Sequence, residues 1–438
     1  MTADNHLGRH YDRMFSQKLE ERRAWLRRGF GAAVEHALEQ RAHLFLQVGD
    51  LFDSPEPRNV ERQFVAESLA RLREAGVRCL GIGGNHDTPR SRNGHSMSTP
   101  QATYARLGGL RLLGEFRTED VAPEVWRGGI PCRPHVSWGS GGGGRASALR
   151  RGIEGQHTRG KAPSPQSSVF GPRLDEETLE IEGIRVAVAG MPPDPTAPAG
   201  SDPLEGLEWR PNADIALLLL HGSLEGHVYP GAPEPIVRRA TVEGLEGVDY
   251  LLMGHVHRFA AFCWGGKTVI VPGATERMTF AEMEVTPGFV YLEAEPGRLV
   301  GLQQVPVDCQ PRLQLAIPTS DLAEGDPAET LKERLETECR RDAMVRVRLE
   351  GPISRQRYHD LRLREVAEFG AARSFFFDLD TTGLYVEDER YATSARGGRL
   401  SQREELIRFA RERREEADDL RERDLIDEAL RLILDEYR

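Results

Sequence analysis

Five short motifs recur in fixed order along this chain, and nearly all of them close an apolar run. They are Asp4-Asn5-His6, Gly49-Asp50-Leu51-Phe52-Asp53, Gly84-Asn85-His86-Asp87, His221-Gly222 and Gly254-His255-Val256-His257. Each puts carboxylate, amide or imidazole groups just beyond a predicted strand, or where one is expected. An α/β fold builds its ligand sites at the carboxyl ends of its strands in this way. Five of the thirteen histidines lie in these motifs. His10, His36, His43, His95, His135, His157, His227 and His359 have no such setting and are assigned no role.

The segments between the motifs alternate helix and strand. Residues 17–42 carry Leu19, Trp25, Leu26, Phe30, Ala33 and Val34 at helical spacing. His43 to Val48 is a short apolar run of the buried-strand kind, ending at Gly49. A second helix runs from Val60 to Ala75 and a second strand from Val77 to Ile82. The pattern resumes with strands at Ile184 to Ala189, Asp214 to Leu220, Val248 to Met253 and Thr268 to Val271. Repeated βα units with motifs at the strand ends predict a layered α/β domain over 1–308.

Three other segments differ. Residues 133–173 hold seven Lys/Arg against one acid, Glu154, and the run Gly141 to Gly144; they read as a flexible basic insertion. Residues 309–392 hold strand-like runs at Val345 to Leu349 and Ser374 to Leu379 around a helical stretch, Ser354 to Phe369, and read as a small α+β domain. After a linker at 393–400, residues 401–438 contain thirteen acids and nine arginines. Ile426, Ala429, Leu430, Ile433 and Tyr437 form one apolar stripe there. A helix pair that docks on a partner and one that packs on its own domain are equally compatible with this pattern.

The chain has 438 residues, enough for two or three domains. Its net charge of −11 argues against a standalone nucleic-acid binder, whose affinity rests on phosphate contacts. No apolar run approaches the roughly 20 residues that span a bilayer, and the N-terminus carries no export signal. A cytoplasmic protein without a membrane partner is expected. Cys79, Cys132, Cys263, Cys309 and Cys339 are scattered and never in a C-x-x-C pair, so packed, reduced thiols are expected.

The motif side chains suit a pair of divalent cations about 3.5–4 Å apart sharing a bridging carboxylate. Asp4, His6 and His257 can serve one cation, and Asn85, His221 and His255 the other, with Asp50 between them. Mixed imidazole and carboxylate donors suit manganese, iron or zinc better than calcium. His86, next to Asn85, is placed to protonate a leaving oxygen, with Asp87 orienting its ring. Asp53 is expected to hydrogen-bond to a ligand rather than to be one.

In their order and spacing these motifs resemble the calcineurin-like metallophosphoesterase superfamily. Asp4-Asn5-His6-Leu7-Gly8 and Gly49 to Asp53 are similar to the first two motifs of its SbcD-type DNA repair nucleases. Pro272-Gly273-Ala274-Thr275-Glu276-Arg277, followed by Pro287-Gly288-Phe289-Val290, resembles their "P-G-S-x-E-R" segment and "K-G-F" strand, with Ala274 and Pro287 as departures. The resemblance covers about residues 1–300. It implies a β-sandwich flanked by helices, with 309–392 as a capping domain and 401–438 as the helix pair that binds a partner.

The same resemblance implies a manganese-dependent 3′→5′ exonuclease and single-strand or hairpin endonuclease. Asp4, His6, Asp50, Asn85, His221, His255 and His257 are the implied ligands of two Mn2+ ions, His86 the implied catalytic histidine, and Arg277 a supporting residue of the site. The partners implied are DNA and a coiled-coil ABC-type ATPase of the SbcC type, in a heterotetramer containing two copies of this chain. No residue is assigned to DNA contact. A nucleotide or phosphoprotein phosphoesterase using the same cations is the enzymatic alternative, and a degenerate scaffold subunit the non-enzymatic one. One departure bears on the last. Only Met1-Thr2-Ala3 precede Asp4, short of the usual strand of about five residues. Either the recorded start is late or the sheet is built on a stub, and on a stub Asp4 and His6 are expected to be poorly held.

Overall fold

The computed structural model describes residues 1–11, 14–89, 98–114, 174–227 and 234–387, and from the C-terminal segment 407–410, 413–414, 423, 426 and 429–430. The segments read above as a basic insertion (133–173) and a linker (393–400), and most of 401–438, lie outside the described residues. The chain divides into a unit Met1–Arg312 and a unit Leu313–Arg438.

The first unit opens with α1 (Ser16–Glu39), β1 (Leu44–Val48), α2 (Asn59–Glu74), β2 (Arg78–Ile82), α3 (Gln101–Arg106) and β3 (Arg111–Leu112). β1, β2 and β3 form a parallel sheet. There follow β4 (Asp175–Ile181), β5 (Ile184–Met191), β6 (Ile215–His221), β7 (Ser223–Leu224), β8 (Ile236–Val237), α4 (Arg239–Gly244), β9 (Tyr250–Gly254), β10 (Ala260–Trp264) and β11 (Lys267–Val271). Six of these make a mixed sheet in the order β10-β11-β9-β6-β5-β4. The antiparallel pair β12 (Gly288–Glu295) and β13 (Arg298–Pro306) completes the unit.

The first three residues join two of these pieces. Thr2 bridges Gln47 in β1, its N–H donating to Leu46 O at 2.8 Å and its carbonyl accepting from Val48 N at 2.9 Å. On the other side Met1 exchanges two 2.9 Å bonds with Val290 in β12, and Ala3 bridges Ala274. A three-residue stub thus links β12-β13 to β1-β2-β3 as one sheet. Asp4 and His6 are not poorly held on it: both are buried, and residues 4–7 are tied to 49–51 by backbone bonds of 2.9–3.2 Å. The pairing turn supplies what a longer strand would.

The two sheets face one another across a core of Ala3, Leu46, Val48, Leu80, Ile82, Val188, Leu217, Leu219, Leu252, Ile270 and Val290. The outer faces are apolar too. Leu26, Phe30, Phe45, Leu69 and Leu72 fill the layer under α1 and α2. Leu218, Leu220, Leu251 and Val269 fill the layer on the far side. Consecutive leucines in β6 therefore alternate between two dry layers, which explains an unbroken apolar run ending in a polar His221. Truncating Leu218 to alanine costs about 2–5 kcal/mol on this ground. The layered sandwich flanked by helices is the architecture the sequence leads one to expect.

The second unit has β14 (Arg312–Pro318), α5 (Pro327–Glu338), β15 (Met344–Ser354), α6 (Arg355–Asp360), α7 (Leu363–Arg373) and β16 (Phe376–Glu387). The strand order is β14-β15-β16, with the last two parallel. Leu331, Leu335, Val345, Val347, Leu361 and Val366 form its core. Asp326 caps α5, accepting from Ala328 N at 3.0 Å, with Pro327 at the first helical position. The stretch read as one helix from Ser354 is two, broken where Arg362 takes a left-handed φ of 42°.

Candidate metal centre

The five motifs meet at one end of the sandwich. The turns that carry them need unusual backbone. Asp4, His6, Asp50 and His255 have φ of 50°, 45°, 50° and 90°, a region that costs a non-glycine residue on the order of 1 kcal/mol. Such strain is retained where a site requires it. Two glycines allow close approach. A Cβ on Gly84 would stand 2.1 Å from Asp50 Oδ1, and one on Gly254 would stand 1.9 Å from Val48 O.

Two donor clusters share Asp50. On the near side, ligand atoms of Asp4, His6 and His257 lie within 4.8 Å of one another. His6 Nε2 is 3.3 Å from His257 Nε2 and 3.7 Å from Asp50 Oδ2. On the far side, His221 Nε2 is 3.3 Å from Asp50 Oδ2 and 3.0 Å from Asn85 Oδ1, and His255 Nδ1 is 3.1 Å from the same Asn85 oxygen. All seven residues named as ligands are thus in one place. Asp4 also accepts from the His255 backbone N–H, at 3.0 Å to each oxygen.

The remaining ring nitrogens explain why these donors suit cations. His6 Nδ1 faces Asp53 Oδ1 at 3.1 Å, and His257 Nδ1 faces Glu282 Oε1 at 3.1 Å. His221 Nδ1 faces Val48 O at 2.9 Å, and His255 Nε2 faces Glu234 Oε2 at 3.1 Å. An acceptor on one nitrogen assigns it the hydrogen and turns the other into a lone pair. The lone pairs of His6 and His257 then confront each other, and those of His221 and His255 confront the Asn85 oxygen. A cation between them resolves both confrontations, so the residues present fit a pair of divalent ions.

Without a cation, a proton takes that place. Burial alone would push the His221 imidazole down, yet the Asp50 carboxylate overrides it and raises the ring to about 10. Asp50 in turn sits far below the usual carboxylate range, against its burial, because of His221 and His6. Burial likewise opposes, and His257 together with the Met278 and Thr279 amides outweighs it, in lowering Glu282 to about 2.

His86 lies at the mouth, 42% exposed, its Nδ1 3.7 Å from Asp53 and its ring edge-on to His6 at 4.7 Å. Its pKa is lowered by burial, with the Asp50 charge opposing. Asp87 does not orient that ring, contrary to the expectation from adjacency. Its fully buried carboxylate accepts from Gly84 N at 2.7 Å, Leu51 N at 2.9 Å, Phe52 N at 3.4 Å and the Gln101 amide. It pins the second and third motif turns to each other. Burial and then the Asp50 charge push its pKa up to about 7. Arg277 also acts at one remove. Its guanidinium donates to Val285 O at 2.8 Å and to Cys309 Sγ at 3.1 Å, bracing the turn that presents Glu282. The buried ion of that segment is Glu276, paired with Arg22 of α1 at 2.8 Å.

Glu282 and Glu234 were not anticipated. Glu282 had a legible signal, since Thr279 and Glu282 form a capping box. Glu234 had none.

Donor clusters that fit divalent cations, at the strand ends of a helix-flanked β-sandwich, match what a metallophosphoesterase requires. The calcineurin-like phosphoesterase family model matches residues 1–259, and the chain belongs to that family. Among individual proteins, it is similar to the DNA double-strand break repair protein Mre11 of Methanococcus maripaludis, 32% identical over 131 residues, which are 29% of this chain and 33% of that one. The protein of the same name from Aeropyrum pernix is 38% identical over 102 residues, 23% and 24% of the two chains. That of Methanopyrus kandleri is 25% identical over 356 residues, 79% and 63%. The matches span from about a quarter to just under two thirds of these relatives. Among the described residues, no helix is long and apolar enough to cross a membrane.

Proposed function

We propose that the chain is the nuclease subunit of a DNA repair complex and hydrolyses phosphodiester bonds at a pair of divalent cations. The observation that carries this reading is the pair of donor clusters sharing Asp50, with His86 at their open side. Asp4, His6, Asp50 and His257 would hold one cation, and Asp50, Asn85, His221 and His255 the other. Such cations supply charge neutralisation on the phosphate and activation of water, and manganese suits the mixed donors.

The chain's own residues do the rest. Asp53, Glu234, Glu282 and the Val48 carbonyl fix the tautomers of four imidazoles. His86 reaches the solvent side, where it can donate a proton to the departing oxygen. DNA as substrate is supported by the names of the relatives and by the segment Pro272 to Phe280. On this reading the chain is a 3′→5′ exonuclease and a single-strand or hairpin endonuclease. It works as two copies beside two copies of a coiled-coil ABC-type ATPase that docks on 401–438. The charge of −11 supports a division of labour in which the partner contributes much of the DNA affinity.

The test is hydrolysis of linear, hairpin and circular DNA by the chain with its ATPase, across manganese, magnesium, zinc and iron. Manganese-dependent degradation of linear duplex and opening of hairpins are expected. A complex that spares every DNA but hydrolyses a nucleotide or a phosphopeptide overturns the reading. Deletion of 401–438 should abolish co-purification with the ATPase while cation binding persists; retained co-purification refutes the docking role.

A further inference from the structure

Asn85, His221 and His255 form one wall of a cavity of about 420 Å3, within the roughly 300–1,000 Å3 of small-molecule sites. Nothing in the hydrolytic scheme uses it. Its other wall is built from Met191, Pro192, Pro193, Pro195, Pro203 and Pro235. Proline has no amide hydrogen to offer, so this wall presents flat apolar faces. The polar side chains on the lining are already engaged. Thr88 Oγ1 donates to Gly84 O at 2.6 Å, Ser223 Oγ donates to Glu234, and Asp194 Oδ1 accepts from Thr196 N at 2.8 Å.

The charges on the lining narrow the occupant further. Apart from the histidines of the metal centre, its ionisable groups are two acids, Asp194 and Glu234. They disfavour a second phosphate. The cavity suits a flat, uncharged group covalently attached to a phosphate that sits on the ligand residues. Resting on the phosphodiester reading above, we infer that it receives the nucleobase adjacent to the scissile phosphate, unpaired, by apolar contact that does not read base identity.

A base lodged there cannot also be stacked and paired. Extruding it from a duplex costs a few kcal/mol, and least where pairing is already lost. The substrate class that follows is a single strand, or a duplex end that has frayed. Contact with the faces of a base is sequence-tolerant, so no preference among bases is expected.

The test uses the full chain with manganese and two single-stranded oligonucleotides of equal length. One is normal and the other has tetrahydrofuran abasic residues throughout, so that the phosphates are the same and the bases are absent. The normal strand should be hydrolysed about tenfold more efficiently in kcat/KM, with homopolymers of dA, dC and dT within about threefold of one another. Ala197→Trp, which fills the cavity from an exposed segment, should bring normal and abasic strands to within about twofold. Equal rates on the two strands with the unmodified protein overturn the inference and leave the nuclease reading standing. A tenfold difference that survives Ala197→Trp also overturns it, since the base is then held elsewhere. Hydrolysis of neither strand under any cation overturns the nuclease reading and this inference with it.

Discussion

The two halves of the candidate metal centre orient their imidazoles by different routes. In the near half, His6 and His257 are each backed by a carboxylate that the fold holds independently. Asp53 is fixed by Arg9 at 2.9 Å, and Glu282 by the Met278 amide at 2.5 Å. In the far half, His221 is backed by a main-chain carbonyl, and His255 by Glu234. A carboxylate behind an imidazole adds negative charge to its basicity, whereas a carbonyl adds only a dipole. The difference makes the near half a site tuned by replaceable side chains. The far half divides that task between the sheet, through the carbonyl of Val48 at the end of β1, and one side chain, Glu234.

The comparison breaks most severely at the residue both halves share. Asp50→Ala should remove one cation outright and weaken the other. The resulting loss of several kcal/mol of charge stabilisation corresponds to hydrolysis falling about a thousandfold or more. Isothermal titration should then show fewer than two equivalents bound; two intact equivalents contradict a shared carboxylate. Next in size is His86→Gln, which belongs to neither half. Hydrolysis should fall on the order of 10²–10⁴-fold with both cation affinities kept. A parallel loss of cation binding would make His86 a ligand.

A smaller and more selective pair sharpens the contrast. Glu282→Gln should weaken one cation site about 10–100-fold and Glu234→Gln the other, each sparing its opposite. If both variants weaken the same titration step, the assignment of halves is wrong. The smallest effect is in pH. Because His221 is raised to about 10 in the cation-free protein, the cation there must displace a proton. Affinity should therefore rise with pH, and the heat of binding should depend on the buffer. For stability the sign is the reverse. The raised His221 supports the cation-free fold fully below its ordinary value near 6.5, and that support is lost as pH rises toward 10. Urea midpoints in chelator at pH 6 and pH 9 should show it, and equal midpoints would remove the proton from the far half.

The unequal routes also explain what could be read from the chain beforehand. That the candidate donors come together was legible because imidazoles and carboxylates just beyond apolar runs have few other uses in such number and order. The layered α/β domain followed from apolar runs such as Ile215 to Leu220, and the sandwich arrangement from the family resemblance. Adjacency misled at Asp87. It follows His86 in sequence, but its carboxylate turns inward to the backbone of Leu51 and Gly84. Local pattern also failed at Leu361-Arg362, where a helix breaks with neither glycine nor proline to mark it. Glu234 was invisible because it comes to His255 through tertiary packing alone. Strand length alone does not reveal how firmly the stub is held, because residues 4–7 are fixed against 49–51 by turn pairing across the sequence.

That stub has a consequence for the order of events during synthesis. Met1 finds its partner at Val290, 289 residues later. At roughly 5–20 residues per second, translation takes on the order of 15–60 s to produce that partner. For most of this interval Asp4 and His6 exist without the partners that follow in the chain, since His221, His255 and His257 come late in it. The nascent chain therefore cannot bring the seven candidate donors together early. All seven donors are present only once His257 has been made, so the donor set cannot come together before most of the sandwich has been synthesised.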